Sequence, residues 1–249
     1  MATTSSDFAH GTIGVGPQPP EPVSVTARSV DDMSRIIVFG GHGRIALLLA
    51  PILVARGDEV TAVIRNPDHV AEVEQGGAHA LVADIEKLGT DELADIIRGH
   101  DAVVWTAGAG GGSAERTYAV DRDAAIRTMD AAANAGVTRY VMVSWIGSKA
   151  DHGVPEGADF FPYADAKWAA DEHLRGTDLD GTILGPGTLT FDEPTGRILL
   201  DAEGKAEVSR ADVAAVIAES LGNPSTFGRT IRFGNGGDDS TPIADALSA

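Results

Sequence analysis

The chain has 249 residues, 43% of them hydrophobic, no cysteine and a formal net charge of −18. This length suits one α/β domain with a sizeable core, and the lack of cysteine excludes disulfides and thiolate catalysis. A surface this acidic repels phosphate backbones, so we expect neither nucleic acid nor a membrane as a partner.

The N-terminal residues, 1–33, are rich in serine, threonine, glycine and proline and have no sustained hydrophobic period. We therefore predict a disordered or loosely attached segment, followed by a single domain at 34–249. The N-terminus is polar and lacks the apolar stretch of a secretory signal, and no apolar run reaches the roughly 20 residues that span a bilayer. A cytoplasmic protein is the expectation.

The domain opens on the stretch RIIVFGGHGRIA at 35–46. Four consecutive apolar residues predict a strand buried on both faces, and a glycine turn then leads into a helix. Such a turn presents backbone N–H groups and the positive end of a helix dipole to one point, where the pyrophosphate of a dinucleotide sits. The spacing is G-x-x-G-x-x-A, so a tight β-to-α turn of any parallel α/β protein is the alternative. The candidate cofactor residues in this turn are Gly40, Gly41, His42, Gly43, Arg44 and Ile45.

The second strand, predicted at 60–64, ends at Arg65. In a nicotinamide-binding fold a carboxylate at this point binds the 2′-hydroxyl of NAD, whereas an arginine accepts the 2′-phosphate of NADP. No carboxylate follows the strand, and Arg44 in the glycine turn is expected to approach the same phosphate as Arg65. The two guanidinium groups favour NADP(H) over NAD(H). The alternative is that both are ordinary solvated arginines.

The next two strands also end on residues suited to a cofactor. Helices are predicted at 67–75 and 90–98, and strands at 80–82 and 102–106. Asp84, followed by Ile85, would lie within reach of the adenine amino group, or would cap a turn. Glycine permits close approach of the backbone to a ribose after the fourth strand, at Thr106, Ala107 and Gly108.

The chemistry is predicted on the helix that begins at 161. A helix at 114–135 and a strand at 140–144 precede it, and Tyr163 and Lys167 are four residues apart, on one helix face. A tyrosine has a pKa near 10 and is a poor acid unless a nearby cation lowers that value. Lys167 would supply the cation and bond the nicotinamide ribose, and Tyr163 would donate a proton to a carbonyl oxygen.

The remaining pattern completes an α/β architecture. A strand at 182–184 leads to Pro186 and Gly187, which are further candidate cofactor-binding residues. Ser209 is expected to cap a helix, and a strand at 230–233 and a helix at 242–247 follow. Alternating strands and helices predict a single Rossmann domain, with a doubly wound, mostly parallel sheet in the order 3-2-1-4-5-6 and helices on both faces. No cluster of metal ligands is visible, so we expect no metal.

Taken together, these motifs resemble the atypical, NmrA-like branch of the short-chain dehydrogenases/reductases, over about 35–247. The resemblance implies an NADP(H)-dependent oxidoreductase that transfers hydride to a small carbonyl, quinone or flavin-like acceptor. It makes Tyr163, Lys167 and Ser144 the candidate catalytic residues. Such families commonly have two serines at the end of the fifth strand, and this chain has Trp145 where the second one polarises the substrate carbonyl; Ser148 and Thr106 are the alternative hydroxyls.

Two other functions stay open. Members of this branch include proteins that bind NADP(H) without catalysis, so a redox sensor or regulator is the alternative. A sugar-nucleotide epimerase or dehydratase uses the same chemistry, but it usually needs a larger C-terminal portion than the sixty or so residues here. We expect a small-molecule substrate and a monomer or weak homo-oligomer.

Overall fold

A central sheet with helices on both faces forms the domain in the computed structural model, which describes Met1 and residues 33–202 and 206–248. The predicted N-terminal segment, 1–33, therefore lies almost entirely outside the described residues. Within the described ranges the sheet has nine strands, in the order β11-β8-β10-β6-β5-β4-β1-β2-β3. Its strands are β1 (Arg35–Phe39), β2 (Glu59–Ile64), β3 (His79–Val82), β4 (Ala102–Trp105), β5 (Arg139–Val143), β6 (Asp180–Pro186), β8 (Arg197–Leu200), β10 (Arg229–Gly234) and β11 (Thr241–Pro242).

The predicted strand order is confirmed. Strands β3, β2, β1, β4, β5 and β6 lie side by side and all run parallel, and β10 extends the parallel sheet next to β6. Strand β8 pairs with β10 in the antiparallel direction, and β11 pairs with β8 in the same way. Strands β8 and β11 were not predicted, because they are short and lie in a stretch without a clear hydrophobic period.

The helices cover the sheet on both sides, as predicted. One apolar cluster joins residues of the sheet to α1, α7 and α8, and a second joins the other face to α3, α5 and α6. The sheet is therefore buried on both faces, which explains its near-continuous apolar strands. The α-helices are α1 (Arg44–Ala55), α2 (Val70–Gln75), α3 (Thr90–Ile97), α4 (Ala114–Thr117), α5 (Ala125–Ala135), α6 (Phe161–Arg175), α7 (Arg210–Leu221) and α8 (Ile243–Ser248).

Two local features differ from the sequence prediction. The helix expected at 114–135 is interrupted by a π-helical segment, Tyr118–Ala124, between α4 and α5. A separate two-stranded parallel sheet joins β7 (Thr188–Thr190) to β9 (Glu207–Ser209) beyond the end of β6. Other element bounds agree closely with the prediction, and Ser209 caps α7 by accepting a hydrogen bond from the backbone N–H of Asp212 at 2.9 Å.

None of the helices that the structure describes is long and apolar enough to cross a membrane. The carboxyl ends of the parallel strands all meet at one edge of the sheet, and the glycine turn after β1 lies at this edge. In open α/β sheets the ligand binds at this edge, where the strand order reverses between β1 and β4.

Candidate functional site

The glycine turn between β1 and α1 has the geometry of an anion cradle. Gly40 adopts a φ of +84°, and a Cβ atom there would lie 2.6 Å from the backbone nitrogen of Ala107. The N–H of Gly43 donates to the carbonyl of Gly40 at 2.7 Å, and Gly43 then begins α1 without a side-chain cap. The first N–H groups of a helix have no partner within it. The turn therefore offers free donors, and Gly40 lets it pack closely against the backbone of Ala107 after β4.

A cavity of about 310 Å³ lies against this turn. Eight of the predicted cofactor residues line it: Gly40, His42, Gly43, Arg65, Ile85, Thr106, Ala107 and Gly108. Gly41 and Ile45 support it from behind, because Gly41 lies against Ala62 and Ile45 belongs to the apolar core. The cavity thus joins the ends of β1, β2, β3 and β4, as a dinucleotide site requires.

The ribose end of this cavity contains a carboxylate that sequence reasoning missed. Oε1 of Glu86 accepts hydrogen bonds from Nη1 of Arg65 at 2.8 Å and from Nη2 of Arg116 at 3.2 Å. Both arginines and Glu86 line the cavity, together with the stacked imidazoles of His42 and His69, whose ring centroids are 3.5 Å apart. Glu86 comes from the segment after β3, so the sequence after β2 contains no sign of it.

The predicted convergence of Arg44 and Arg65 is wrong. Arg44 is the first residue of α1, and its guanidinium lies 4.9 Å from the ring centroid of Phe191, on the far side of the turn. Arg210 stacks on the same ring at 4.1 Å, and its proximity to Arg44 adds to the burial that lowers the pKa of Arg210. The attraction of the ring for a cation holds Arg44 there. Arg116 takes the place beside Arg65 that Arg44 was expected to fill.

Asp84 forms a turn instead of facing the cavity. One carboxylate oxygen lies 2.9 Å from Nζ of Lys87, and the other accepts the backbone N–H of Glu86 at 3.3 Å. The hydrogen bond from Lys87 lowers the pKa of Asp84, partly offset by burial. This is the turn cap that the sequence left open as an alternative to adenine binding.

A second cavity of about 650 Å³ shares one lining residue, Gly108, with the first. Its walls include the glycine loop at 108–112, Asp121 and the aromatic side chains of Phe160 and Tyr163. Tyr163 therefore lies on the wall of a cavity that borders the candidate cofactor site at Gly108.

Lys167 is fully buried between two carboxylates. Its Nζ donates to the carbonyl of Val143 at 2.6 Å, at the end of β5. Burial lowers the pKa of Lys167, and the negative charges of Asp121 and Asp171 oppose that shift. Burial and the same two carboxylates raise the pKa of Tyr163. The expectation that Lys167 lowers the pKa of Tyr163 is therefore not met, since burial and the nearby negative charges dominate.

Ser144 is directed into the protein. Its hydroxyl donates to Oδ2 of Asp171 at 2.6 Å, and the hydroxyl of Ser148 donates to the same oxygen at 2.5 Å. Burial raises the pKa of Asp171, against the effect of Lys167 and the two hydroxyls. Both serines considered for polarising a substrate carbonyl thus donate to one carboxylate oxygen. The indole of Trp145, at the position of the missing serine, covers Gly147 and contacts Phe160 edge-on at 5.2 Å between ring centroids.

The π-helical segment brings Asp121 into this cluster. Asp121 is 2% exposed and accepts the backbone N–H of Ala109 at 2.9 Å, which ties the segment to the glycine loop. Burial raises the pKa of Asp121, opposed by Lys167. Such π-helical insertions are frequent at functional sites. The sequence could have placed Asp171 near the site, because it lies four residues beyond Lys167 on the same helix face. For Asp121, inside an alanine-rich helix, only the charge of the side chain pointed to a function.

Strand β6 ends at Pro186, at the carboxyl edge of the parallel strands and next to β10, and Gly187 follows it. The N–H of Gly187 donates to the carbonyl of Phe233 at 2.9 Å, and a Cβ atom at Gly187 would lie 2.2 Å from the carbonyl oxygen of Ala206. This glycine is required where the chain leaves the main sheet for β7. The part of the chain that the structure describes contains no group of three or more side chains able to hold a metal ion.

The fold and the cavity against the glycine turn are those of a dinucleotide-binding Rossmann protein. The glycine turn and the ends of the first four strands each match what that class of site needs. Residues 40–224 match the family model described as NAD(P)H-binding, and the chain belongs to this family.

Similar proteins cover most of the chain. The UPF0659 protein YMR090W of Saccharomyces cerevisiae is 36% identical over 230 residues, covering 86% of this chain and 98% of the yeast protein. A structure titled as a putative NAD-dependent epimerase/dehydratase from Bacillus halodurans is 34% identical, with a TM-score of 0.78, and covers 86% of this chain and 98% of its own. The oxidoreductase ylbE from Lactococcus lactis is 31% identical, with a TM-score of 0.75 and coverage of 86% and 94%. The resemblance to the atypical short-chain dehydrogenases/reductases is confirmed, in an NAD(P)H-binding family with oxidoreductase-like and epimerase-like relatives.

Proposed function

We propose that the protein is an NADP(H)-dependent reductase of a small carbonyl, quinone or flavin-like acceptor. The observation that supports this proposal is that Gly108 lines both cavities, so that the cavity with Tyr163 on its wall borders the proposed dinucleotide site. A nicotinamide dinucleotide, when bound, supplies a hydride. The second cavity is large enough for a small acceptor, and the aromatic walls of Phe160 and Tyr163 suit a flat, apolar one.

Tyr163 is the proton donor in this proposal. The phenol keeps its proton at neutral pH, which is the form that an acid needs, but its raised pKa makes it a weaker acid than an ordinary tyrosine. For a carbonyl acceptor, hydride adds to the carbon, the C=O π bond breaks, and the oxygen takes the phenolic proton. No serine hydroxyl assists, because Ser144 and Ser148 both donate to Asp171.

Lys167 stabilises the charge that this step leaves behind. Once Tyr163 has given up its proton, a phenolate lies near Asp121 and Asp171, which both oppose it. A cationic Lys167 on the same helix face compensates for that charge. The hydrogen bond to the carbonyl of Val143 fixes the ammonium group while the charge on Tyr163 changes.

The test is Tyr163→Phe, with Tyr118→Phe as the matched control. Tyr118 stacks on Arg122, and its pKa is raised mainly by burial and also by Asp165. We expect Tyr163→Phe to lower turnover of NADPH with carbonyl and quinone acceptors by about 10²–10⁴-fold. Nucleotide affinity, followed by NADPH fluorescence, should not change, and Tyr118→Phe should retain activity. Equal turnover in wild type and Tyr163→Phe would contradict the role of Tyr163.

Two other functions remain candidates. A non-catalytic redox sensor is supported by the hydrogen bonds from Ser144 and Ser148 to Asp171 and by Trp145 at the position of the catalytic serine. This function predicts that the wild type binds the nucleotide without turning it over. For an epimerase or dehydratase, the name of the Bacillus halodurans relative is the favourable observation. Such an enzyme regenerates its cofactor in each cycle, so it predicts product formation without net NADPH consumption. We also propose that the protein is cytoplasmic and is a monomer or a weak homo-oligomer.

A further inference from the structure

Glu86 occupies the ribose end of the dinucleotide cavity between two arginines. Its Oε1 accepts from Nη1 of Arg65 at 2.8 Å and from Nη2 and Nε of Arg116 at 3.2 and 3.3 Å. All three side chains line the same cavity as the glycine turn. A single carboxylate oxygen thus receives three N–H donors from two guanidinium groups.

Arg116 has an anchor besides Glu86, whereas Arg65 is positioned by its place in the chain. Arg65 follows directly on β2, and Nη1 of Arg116 donates to the carbonyl of Ala109 at 2.7 Å. Ala109 is in turn fixed by the carboxylate of Asp121. Arg116 therefore keeps an anchor of its own if Glu86 leaves. Two guanidinium groups that face one point are a typical arrangement for binding a phosphate, whose oxygens accept several N–H donors at once.

We propose that Glu86 occupies the place of the 2′-phosphate of NADP(H), and that the phosphate displaces it when the cofactor binds. This inference rests on the proposed use of a nicotinamide dinucleotide. Glu86 carries one negative charge where the phosphate carries close to two, so Arg65 and Arg116 favour the phosphate. The side chain of Glu86 is 25% exposed, which gives the displaced carboxylate a path to water. Glu86 is then a specificity-determining residue that reduces the preference for NADP(H) below what its two arginines alone would give.

The opposite role for Glu86 is an acceptor for the 2′-hydroxyl of NAD(H). A carboxylate at the end of the second strand performs that task in NAD-dependent Rossmann proteins. Glu86 reaches the site from the third strand instead, and Oε1 is already surrounded by three donors from cations. A single neutral hydroxyl is a weaker hydrogen-bond donor to Oε1 than the two charged guanidinium groups are. The two roles predict opposite effects of the same substitution.

Glu86→Gln tests the proposal, with Glu59→Gln as the control. Glu59 is an exposed carboxylate at the start of β2, at the opposite edge of the sheet, so both variants remove the same charge. Dissociation constants for NADPH and NADH come from fluorescence titration of the full chain. We expect Glu86→Gln to bind NADPH about three- to fivefold more tightly, since a partly exposed ion pair is worth up to about 1 kcal/mol. NADH affinity should change by less than about twofold, because NADH has no 2′-phosphate to compete with Glu86.

The gain has to depend on the arginines. In an Arg65→Ala/Arg116→Ala background, Glu86→Gln should give no gain in NADPH affinity. In the otherwise wild-type chain, the gain in NADPH affinity from Glu86→Gln should shrink as salt is added. Weaker NADH binding by Glu86→Gln would make Glu86 a 2′-hydroxyl acceptor and overturn the proposal. Unchanged or weaker NADPH binding would overturn it as well.

A fragment experiment separates this inference from the proposed function. Calorimetry compares adenosine 2′,5′-bisphosphate with 5′-AMP, neither of which contains a nicotinamide. We expect only the bisphosphate to gain affinity in Glu86→Gln. If this gain is seen but NADPH is not turned over, the phosphate site stands and the reductase proposal fails. If turnover is seen without the gain, the inference alone fails.

Discussion

Arg139→Met is expected to destabilise the fold more than any exposed arginine substitution. Arg139 is the first residue of β5, it is 7% exposed, and its guanidinium stacks on Phe227 at 4.5 Å. Burial lowers the pKa of Arg139 to about 10, so the group is still a cation at neutral pH. It donates to five acceptors: the carbonyls of Asp180 (2.5 Å), Ser220 (2.6 Å) and Leu221 (3.2 Å) and the hydroxyls of Thr182 (2.9 Å) and Thr226 (3.2 Å).

The magnitude follows from the acceptors that lose their donor. Methionine fills part of the volume but removes the guanidinium donor from three backbone carbonyls, two of them at the C-terminal end of α7; of these, the carbonyl of Ser220 keeps the N–H of Asn223 and the hydroxyl of Thr226 as donors. Each buried acceptor without a partner costs about 1–3 kcal/mol, and the removal of a buried charge offsets part of the sum. We expect a loss of about 3–5 kcal/mol, which is a large part of the roughly 5–15 kcal/mol that stabilises a typical protein. For a chain of this size, the thermal midpoint should fall by about 6–20 °C.

The assay is urea unfolding followed by circular dichroism, with the midpoint and slope fitted for each variant. Arg98→Met is the matched control, because the side chain of Arg98 is 60% exposed and pairs only with Asp95 at the surface. It should lose less than about 1 kcal/mol. Equal losses in the two variants would refute the reasoning, since they would show that water satisfies the carbonyls at the end of α7 without Arg139.

Two further predictions concern the site. Gly40→Ala should abolish NADPH fluorescence enhancement, because a Cβ atom would lie 2.6 Å from the backbone of Ala107 and φ is +84°; Gly157→Ala, with nothing within 4 Å, should bind normally. Asp171→Asn removes one of the two carboxylates that raise the pKa of Tyr163. That pKa should fall, so Tyr163 should become a stronger acid and kcat at neutral pH should rise; an unchanged kcat would contradict the coupling.

Features of the site that depend on local spacing were predictable. The strand order followed from the alternation of strands and helices, and the glycine turn followed from three glycines after a buried strand. Tyr163 and Lys167 were placed on one helix face by a four-residue spacing, which holds in any α-helix. Each of these inferences needs only neighbours in sequence.

Features that depend on side-chain partners from distant segments were not predictable. Glu86 meets Arg65 across 21 residues and Arg116 across 30, and no pattern in the chain links them. Arg44 was assigned to the cofactor phosphate because it lies in the glycine turn, but its partner Phe191 lies in a loop far along the chain. The π-helical turn that directs Asp121 inward leaves no periodic signal, since alanine-rich sequence favours an ordinary helix.

The environment of Lys167 favours catalysis over binding alone. Burying an ammonium group costs several kcal/mol of desolvation. The negative charges of Asp121 and Asp171 offset this cost only in part, because burial raises the pKa of both carboxyl groups and so favours their neutral forms. Apolar residues of similar volume would stabilise the fold as well. A nucleotide sensor needs the glycine turn and the arginines, but nothing in nucleotide binding requires three buried ionisable groups around one tyrosine. For the proposed proton donor they do matter: Asp121 and Asp171 oppose the phenolate of Tyr163, and a cationic Lys167 is the group of the cluster that compensates for this charge.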